Sequence, residues 1–137
     1  MKYVLDACVA LRWVLIEQDS DKAGRVRLDG QNRRHDLIAP EVFSLECAHS
    51  LTKQQRRGLI PEARFLWEEI MLDAPAFFTI MPLMDRALEL SIEARHNIYD
   101  CLYVALAERE GCMVLTADER MKRNLPGSPI MLLSSLP

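Results

Sequence analysis

Four carboxylates occupy positions suited to metal or proton chemistry. Asp6 directly follows a short apolar run, Glu46 lies inside a helical segment, Asp100 falls in the first turn of an apolar helix, and Asp118 comes three residues after Leu115. They are far apart in the chain, so only a fold can bring them together. Each also has an ordinary reading. Asp6 is placed to N-cap the helix after it, and Asp100 follows Asn97, itself a good N-cap, and so suits a positive helix end. Thr116-Ala-Asp-Glu119 resembles a capping box with Asp118 in its first turn. Glu46 has Val42, Phe43, His49 and Ser50 as its neighbours three and four residues away, which is not a solvated charged face. Taken jointly the ordinary readings weaken, because helix starts after several parallel strands share one edge of a sheet.

Electrostatics then decides what a convergent cluster does. Two carboxylates about 5 Å apart at an effective dielectric near 20 repel by roughly 3 kcal/mol. Several such pairs rival the about 5 to 15 kcal/mol by which a domain is stable, so the cluster must bind protons or a cation. Oxygen-only ligands at this charge density favour Mg²⁺ or Mn²⁺ over zinc, and metal-assisted phosphodiester hydrolysis fits such a site. Asp6 and Asp100 are the first metal ligands expected and Asp118 the next; Glu46 either ligates a second ion or orients the water. Thr116 supports Asp118, caps the helix or touches phosphate. Arg120, Lys122 and Arg123, and also Lys53, Arg56 and Arg57, are candidate phosphate contacts, with a solvated basic helix end as the plain alternative. His49 and His96 read as surface or core histidines.

The elements that must position these groups alternate. Strands are expected at Lys2 to Leu5, Leu37 to Ala39, Phe77 to Ile80, Met113 to Leu115 and Ile130 to Leu132. Helices are expected over Ala7 to Ile16, Asp21 to Leu28 with Gly30 ending it, Glu41 to about Arg57 with Pro40 at its first position, and Pro61 or Glu62 to Asp73. Three more cover Met84 to Arg95, Ile98 to Glu110 and Asp118 to Asn124. The run Cys101-Leu-Tyr-Val-Ala-Leu-Ala107 carries no charge on any face, so that helix is enclosed on most sides. Short strands apolar on both faces, alternating with helices, give a three-layer α/β/α fold with a short central parallel sheet, and its ligands gather at the carboxyl ends of the strands.

Composition narrows the function classes. The chain has 137 residues with a formal net charge of −3, half of them hydrophobic and 27% charged, which is one soluble globular domain over residues 1–137. That balance excludes a globally electropositive nucleic-acid binder and leaves room only for local basic patches. No uncharged stretch reaches the roughly 18 residues of a membrane span, and Asp6 interrupts any signal-like apolar run, so a cytoplasmic protein is expected. Cys8, Cys47, Cys101 and Cys112 form no C-x-x-C pair and read as thiols in a reducing compartment. The five glycines form no dinucleotide or Walker pattern.

Four segments in order, Tyr3-Val-Leu-Asp-Ala-Cys-Val-Ala-Leu11, Leu37-Ile-Ala-Pro-Glu-Val-Phe-Ser-Leu-Glu-Cys-Ala48, Ile98-Tyr-Asp-Cys-Leu-Tyr-Val-Ala-Leu-Ala107 and Val114-Leu-Thr-Ala-Asp118, carry a resemblance. Nearly the whole chain resembles the PIN-domain ribonucleases, most closely the VapC-type toxins of toxin–antitoxin pairs. The resemblance implies a parallel sheet with flanking helices and an acidic metal site made of Asp6, Glu46, Asp100 and Asp118. It also implies an endoribonuclease dependent on Mg²⁺ or Mn²⁺, a homodimer, an RNA substrate and a small cognate antitoxin protein that blocks the site. One departure stands out: such proteins usually carry Ser or Thr two residues after the first Asp, where this chain has Cys8, a weaker donor. Because Cys8, Cys47 and Cys101 each lie within two residues of a site acid, inhibition by mild oxidation or Zn²⁺ is an expectation. Thr116 and Arg120 are the expected substrate-binding residues. Two readings compete: a non-catalytic PIN-like module that only binds RNA or a protein, and a phosphoaspartate phosphohydrolase, for which Cys8 occupies the place of the usual second Asp.

Overall fold

A computed structural model describes residues 1–137. Its five strands are β1 (Lys2–Leu5), β2 (Asp36–Pro40), β3 (Ala76–Phe78), β4 (Met113–Thr116) and β5 (Ile130–Leu132). Its helices are α1 (Ala7–Leu11), α2 (Ser20–Gln31), α3 (Val42–Arg56), α4 (Ala63–Leu72), α5 (Met84–Ala94), α6 (Ile98–Glu110) and α7 (Glu119–Asn124). Short 3₁₀ turns at Met81–Leu83 and Leu133–Ser135 complete the chain.

The sheet is parallel throughout, in the order β3-β2-β1-β4-β5. The chain leaves β1 in one direction to build β2 and β3, then crosses back to build β4 and β5 on the other side. Right-handed crossovers in opposite directions put helices on opposite faces, which gives the three layers expected from the alternating pattern. The reversal lies between β1 and β4, and a crevice outside the carboxyl ends of two such strands is where α/β sheets bind ligands. The register Leu5↔Leu115 sets the two strand ends level, and the Asp6 N–H donates to Leu115 O at 3.0 Å. Asp6 and Thr116 therefore emerge side by side.

The core supports this edge from below. Val4, Leu5, Val114 and Leu115 are fully buried, and Cys101 to Ala107 of α6 are buried without a break, as the uncharged run requires. Asn97 caps α6 by accepting from the Asp100 N–H, and Gly111 ends it at φ 64°, a conformation glycine adopts without strain.

Several boundaries differ from the sequence expectation; β3, for one, spans Ala76–Phe78 and leaves Thr79 and Ile80 outside the sheet. The first helix stops at Leu11, and Arg12, Trp13 and Val14 continue in i→i−3 turns. Ile16, which extended the apolar pattern, is 100% exposed and has no core to reach. Pro40 is the last residue of β2 and not the first of α3: the ladder continues one residue further, where the Glu41 N–H donates to Phe78 O. Gly30 does not end α2 but lies inside it. A Cβ there would stand 2.9 Å from Leu37 Cδ1, so the glycine lets the helix cross β2 closely.

Candidate active site

The ordinary reading of Asp6 fails in the structure. It is the N-cap residue of α1, yet its side chain caps nothing. Its Oδ2 accepts instead from Thr116 Oγ1 at 2.6 Å and from Cys8 Sγ at 3.1 Å. Burial pushes its carboxyl up to about 6; the Thr116 bond works against this, the Asp100 charge with it, and Cys8 and Asp118 act more weakly in opposite directions.

Glu46 reaches the same space from α3. Its Oε1 accepts from Tyr103 Oη at 2.7 Å, across the interface with α6. Burial raises this carboxyl to about 7 against the pull of the tyrosine bond, and the charges of Asp6 and Asp100 add to the rise. Asp100 is held from its own turn: Oδ2 lies 2.6 Å from His96 Nε2 and accepts from Asn97 Nδ2 at 3.0 Å. Asn124 Nδ2 lies 3.4 Å from His96 Nδ1 on the other side of the ring. Asp118 does cap a helix, its Oδ1 accepting from the backbone N–H groups of Arg120 and Met121. The cap of α7 is thus Asp118 itself and not Thr116.

A common pattern runs through the four acids. In each, the protein's donors engage one oxygen: Asp6 Oδ2, Glu46 Oε1, Asp100 Oδ2 and Asp118 Oδ1. The second oxygen of each takes no protein donor. The one fully enclosed side-chain polar atom without a partner is His35 Nδ1, far from the site, so these four free oxygens reach solvent. All four residues line one cavity of about 540 Å³ together with Cys8, with Leu45 and Tyr99 exposed at its rim.

The donor set fits a hard cation with the limits that the spacing imposes. It offers carboxylate oxygens, the choice of Mg²⁺ or Mn²⁺. No three His, Cys, Asp or Glu side chains approach closely enough to enclose an ion by themselves. An ion here keeps water in its shell, as Mg²⁺ commonly does.

The remaining candidates separate. Thr116 is fully buried; its hydroxyl donates to Asp6 and accepts from the Asp118 N–H at 3.0 Å, so it has nothing left for a phosphate and acts as a positioning residue. Arg120 is exposed and lies outside the acidic cavity, in a neighbouring hollow that shares Asp118 with it. Cys8 is wedged in the hydroxyl position, its Sγ 3.4 Å from Thr116 Oγ1 and accepting from the Ala117 N–H at 3.3 Å. Burial, and next the Asp6 charge, hold its thiol well above its ordinary value. Burial does the same to Cys47 and Cys101, which have no exposed surface. The expected sensitivity to mild oxidation therefore lacks the thiolate with which such oxidation begins.

Tyr103 is a site residue the sequence reading passed over, and His96, read there as a surface or core histidine, is buried against Asp100. Tyr103 lies three residues after Asp100 in an uncharged helix, where a hydroxyl needs a partner. His96 precedes Asp100 by four residues, the spacing of one helical turn. Both signals were present in the sequence.

Comparison with known proteins gives the family and the fold. The model of the PIN domain matches residues 3–124. Ribonuclease VapC3 of Pyrobaculum aerophilum is 30% identical over 130 residues, covering 92% of this chain and 96% of that protein. Ribonuclease VapC1 of Mycobacterium tuberculosis is 29% identical, with 91% and 95% covered. Two crystal structures share the fold: PAE2754 from Pyrobaculum aerophilum (TM-score 0.73, 20% identity, 98% of this chain and 85% of that one) and VapBC2 from Rickettsia felis bound to a DNA fragment from their promoter (TM-score 0.68, 15% identity, 96% and 98%). With a family match over most of its length and VapC ribonucleases among its relatives, the chain belongs to the PIN-domain family.

Proposed function

We propose that this protein is a Mg²⁺- or Mn²⁺-dependent endoribonuclease, the toxin of a toxin–antitoxin pair, acting at Asp6, Glu46, Asp100 and Asp118. The observation that carries the reading is the shared pattern of the four acids: one oxygen of each is held by the protein and the other takes no protein donor, while all four residues line one cavity at the β1/β4 edge. The names of the relatives support the choice of RNA, and the VapBC2 complex supports an antitoxin partner. The family resemblance extends the proposal to a homodimer, and cysteines without a C-x-x-C pair extend it to the reducing cytoplasm. No helix is long and apolar enough to cross a membrane.

Asp6, Asp100 and Asp118 would hold the metal, with Glu46 as a further ligand or as the group that orients the attacking water. A bound divalent ion supplies activation of water and charge neutralisation at the scissile phosphate. Thr116 and Cys8 fix the Asp6 carboxylate, and His96 with Asn97 fixes Asp100. Tyr103 aims Glu46, whose carboxyl, raised to about 7, is matched to taking a proton from water near neutrality.

The test is cleavage of a mixed RNA pool by purified protein in EDTA, Mg²⁺ or Mn²⁺, beside Asp6→Asn and Asp100→Asn. Cleavage that needs metal and disappears in both folded variants is the expected result. Cleavage that survives EDTA or either substitution would overturn the proposal, as would a folded wild type inert with every metal.

A further inference from the structure

Across Asp118 from the acidic cavity lies a second hollow of about 400 Å³. Arg12, Arg120 and Arg123 line it, with Asp19 and Glu119 as its own acids and Asp118 as the wall it shares with the catalytic cavity. Its one apolar lining residue is Ala117, and it holds no aromatic ring on which a base could stack.

Arg12 is built into this place. Its side chain is only 17% exposed, and the guanidinium is pinned by two carbonyls, Nε donating to Gln18 O at 2.8 Å and Nη1 to Cys8 O at 2.7 Å. Glu17 Oε2 stands 3.7 Å from the same Nη1. Nη2 donates to no protein acceptor and is not enclosed, so a donor of fixed direction remains for a ligand. Arg120 and Arg123 are exposed one turn apart on α7, and no ion pair of the protein involves either. A rigid guanidinium beside two free ones suits a phosphate, which takes forked hydrogen bonds from arginine. The three acids of the hollow, Asp19, Glu119 and the shared Asp118, balance its three arginines and oppose a free anion, so the hollow suits a phosphate delivered as part of a strand already held next door, where its effective concentration is high.

We infer that the Arg12–Arg120–Arg123 hollow seats the sugar-phosphate backbone of the RNA strand beside the scissile bond, with Arg12 as the fixed contact. The inference rests on the ribonuclease reading and adds to it a backbone subsite on the Asp118 side. It makes binding here independent of base identity, because the hollow touches phosphates and no base edges.

Anisotropy of a labelled oligoribonucleotide in Ca²⁺ over a salt series tests this, with strand integrity checked on gels and folding by thermal melts. Arg120→Ala/Arg123→Ala is expected to bind about tenfold more weakly and to flatten the log–log salt slope by about 0.7 for each phosphate no longer neutralised. Arg12→Lys keeps the charge but loses the fork and is expected to weaken binding several-fold. Arg109→Ala, exposed at the far end of α6 from Asp100, is expected to bind as the wild type does. The inference is overturned if the double variant keeps wild-type affinity and slope, if Arg109→Ala weakens binding equally, or if the wild type has no affinity for RNA. Parallel cleavage assays in Mn²⁺ separate the two claims. Groove-dependent binding without cleavage sinks the ribonuclease reading alone; cleavage and binding indifferent to these arginines sink the subsite alone.

Discussion

The four acids of the cavity divide into a floor and a rim. Asp6 and Glu46 form the floor, held by the side-chain hydroxyls of Thr116 and Tyr103, and burial pushes both carboxyls up, to about 6 and about 7. Asp100 and Asp118 form the rim, tied to the starts of α6 and α7, where Asn97 caps one helix and Asp118 itself caps the other. A carboxylate is thus ionised at a cost on the floor, whereas on the rim Asp118 takes two backbone N–H donors and Asp100 the side chains of His96 and Asn97. A buried carboxylate costs stability once ionised, whereas a carboxylate at a helix N-terminus adds to it. The floor trades folding energy for chemistry; the rim serves both.

The largest expected effects separate floor from rim by substitution. Asp6→Asn should abolish metal-dependent cleavage, a loss of about 10³-fold or more if the ion contributes several kcal/mol. The same change should stabilise the metal-free protein. With a folded pKa of about 6 against an ordinary 3.8, ionisation of Asp6 costs up to about 3 kcal/mol at neutral pH. The sign follows from linkage: the folded pKa is raised, so the penalty is full above it and vanishes below the ordinary value. Thermal stability in EDTA should therefore rise as pH falls from about 8 towards 5, first through Glu46 and then through Asp6, and Mn²⁺ should flatten that rise. Asp118→Ala should do the opposite to stability, losing a helix cap at about 1 kcal/mol. Melting curves of the two variants at neutral pH decide the comparison; a lower midpoint for Asp6→Asn would break it.

A smaller effect sharpens the floor itself. The Tyr103 hydroxyl holds down a Glu46 carboxyl that burial has raised. Tyr103→Phe removes that donor with almost no change of volume, so the Glu46 carboxyl should climb further and the acid limb of the cleavage profile should move to higher pH. An unmoved limb would show that Glu46 does not govern the rate.

Much of this was legible in the sequence, and what was not has physical reasons. The β/α alternation, the parallel sheet and the enclosed α6 followed from apolar patterning, because a strand buried on both faces and a helix without a charged face leave plain signatures. The four acids were legible as positions after strands and in first helical turns. Whether Asp6 capped a helix or faced a cavity was not, because that depends on the Leu5↔Leu115 register, which sets Thr116 beside it. The early end of α1 was hidden for a similar reason: Ile16 continues the pattern along the chain, but the fold offers it nothing to pack against. Arg12 was hidden with it, since its role depends on the turn that replaces the expected helix and brings Gln18 O and Cys8 O to its guanidinium.

The smallest effect concerns Cys8, which stands where the family resemblance leads one to expect a hydroxyl. Its thiol donates to the same Asp6 oxygen as Thr116, at 3.1 Å against 2.6 Å, so the threonine carries most of the support and the thiol adds a weaker share. Cys8→Ser should therefore hold Asp6 slightly better and change cleavage by no more than a few-fold. The thiol should also prove a poor nucleophile, since burial and the Asp6 charge keep it protonated. Alkylation of Cys8 in EDTA, followed by peptide mass spectrometry, should lag far behind that of a free thiol at the same pH. Rapid alkylation would show that the floor is open to solvent in a way its hydrogen bonds do not allow, and the distinction between floor and rim would fall with it.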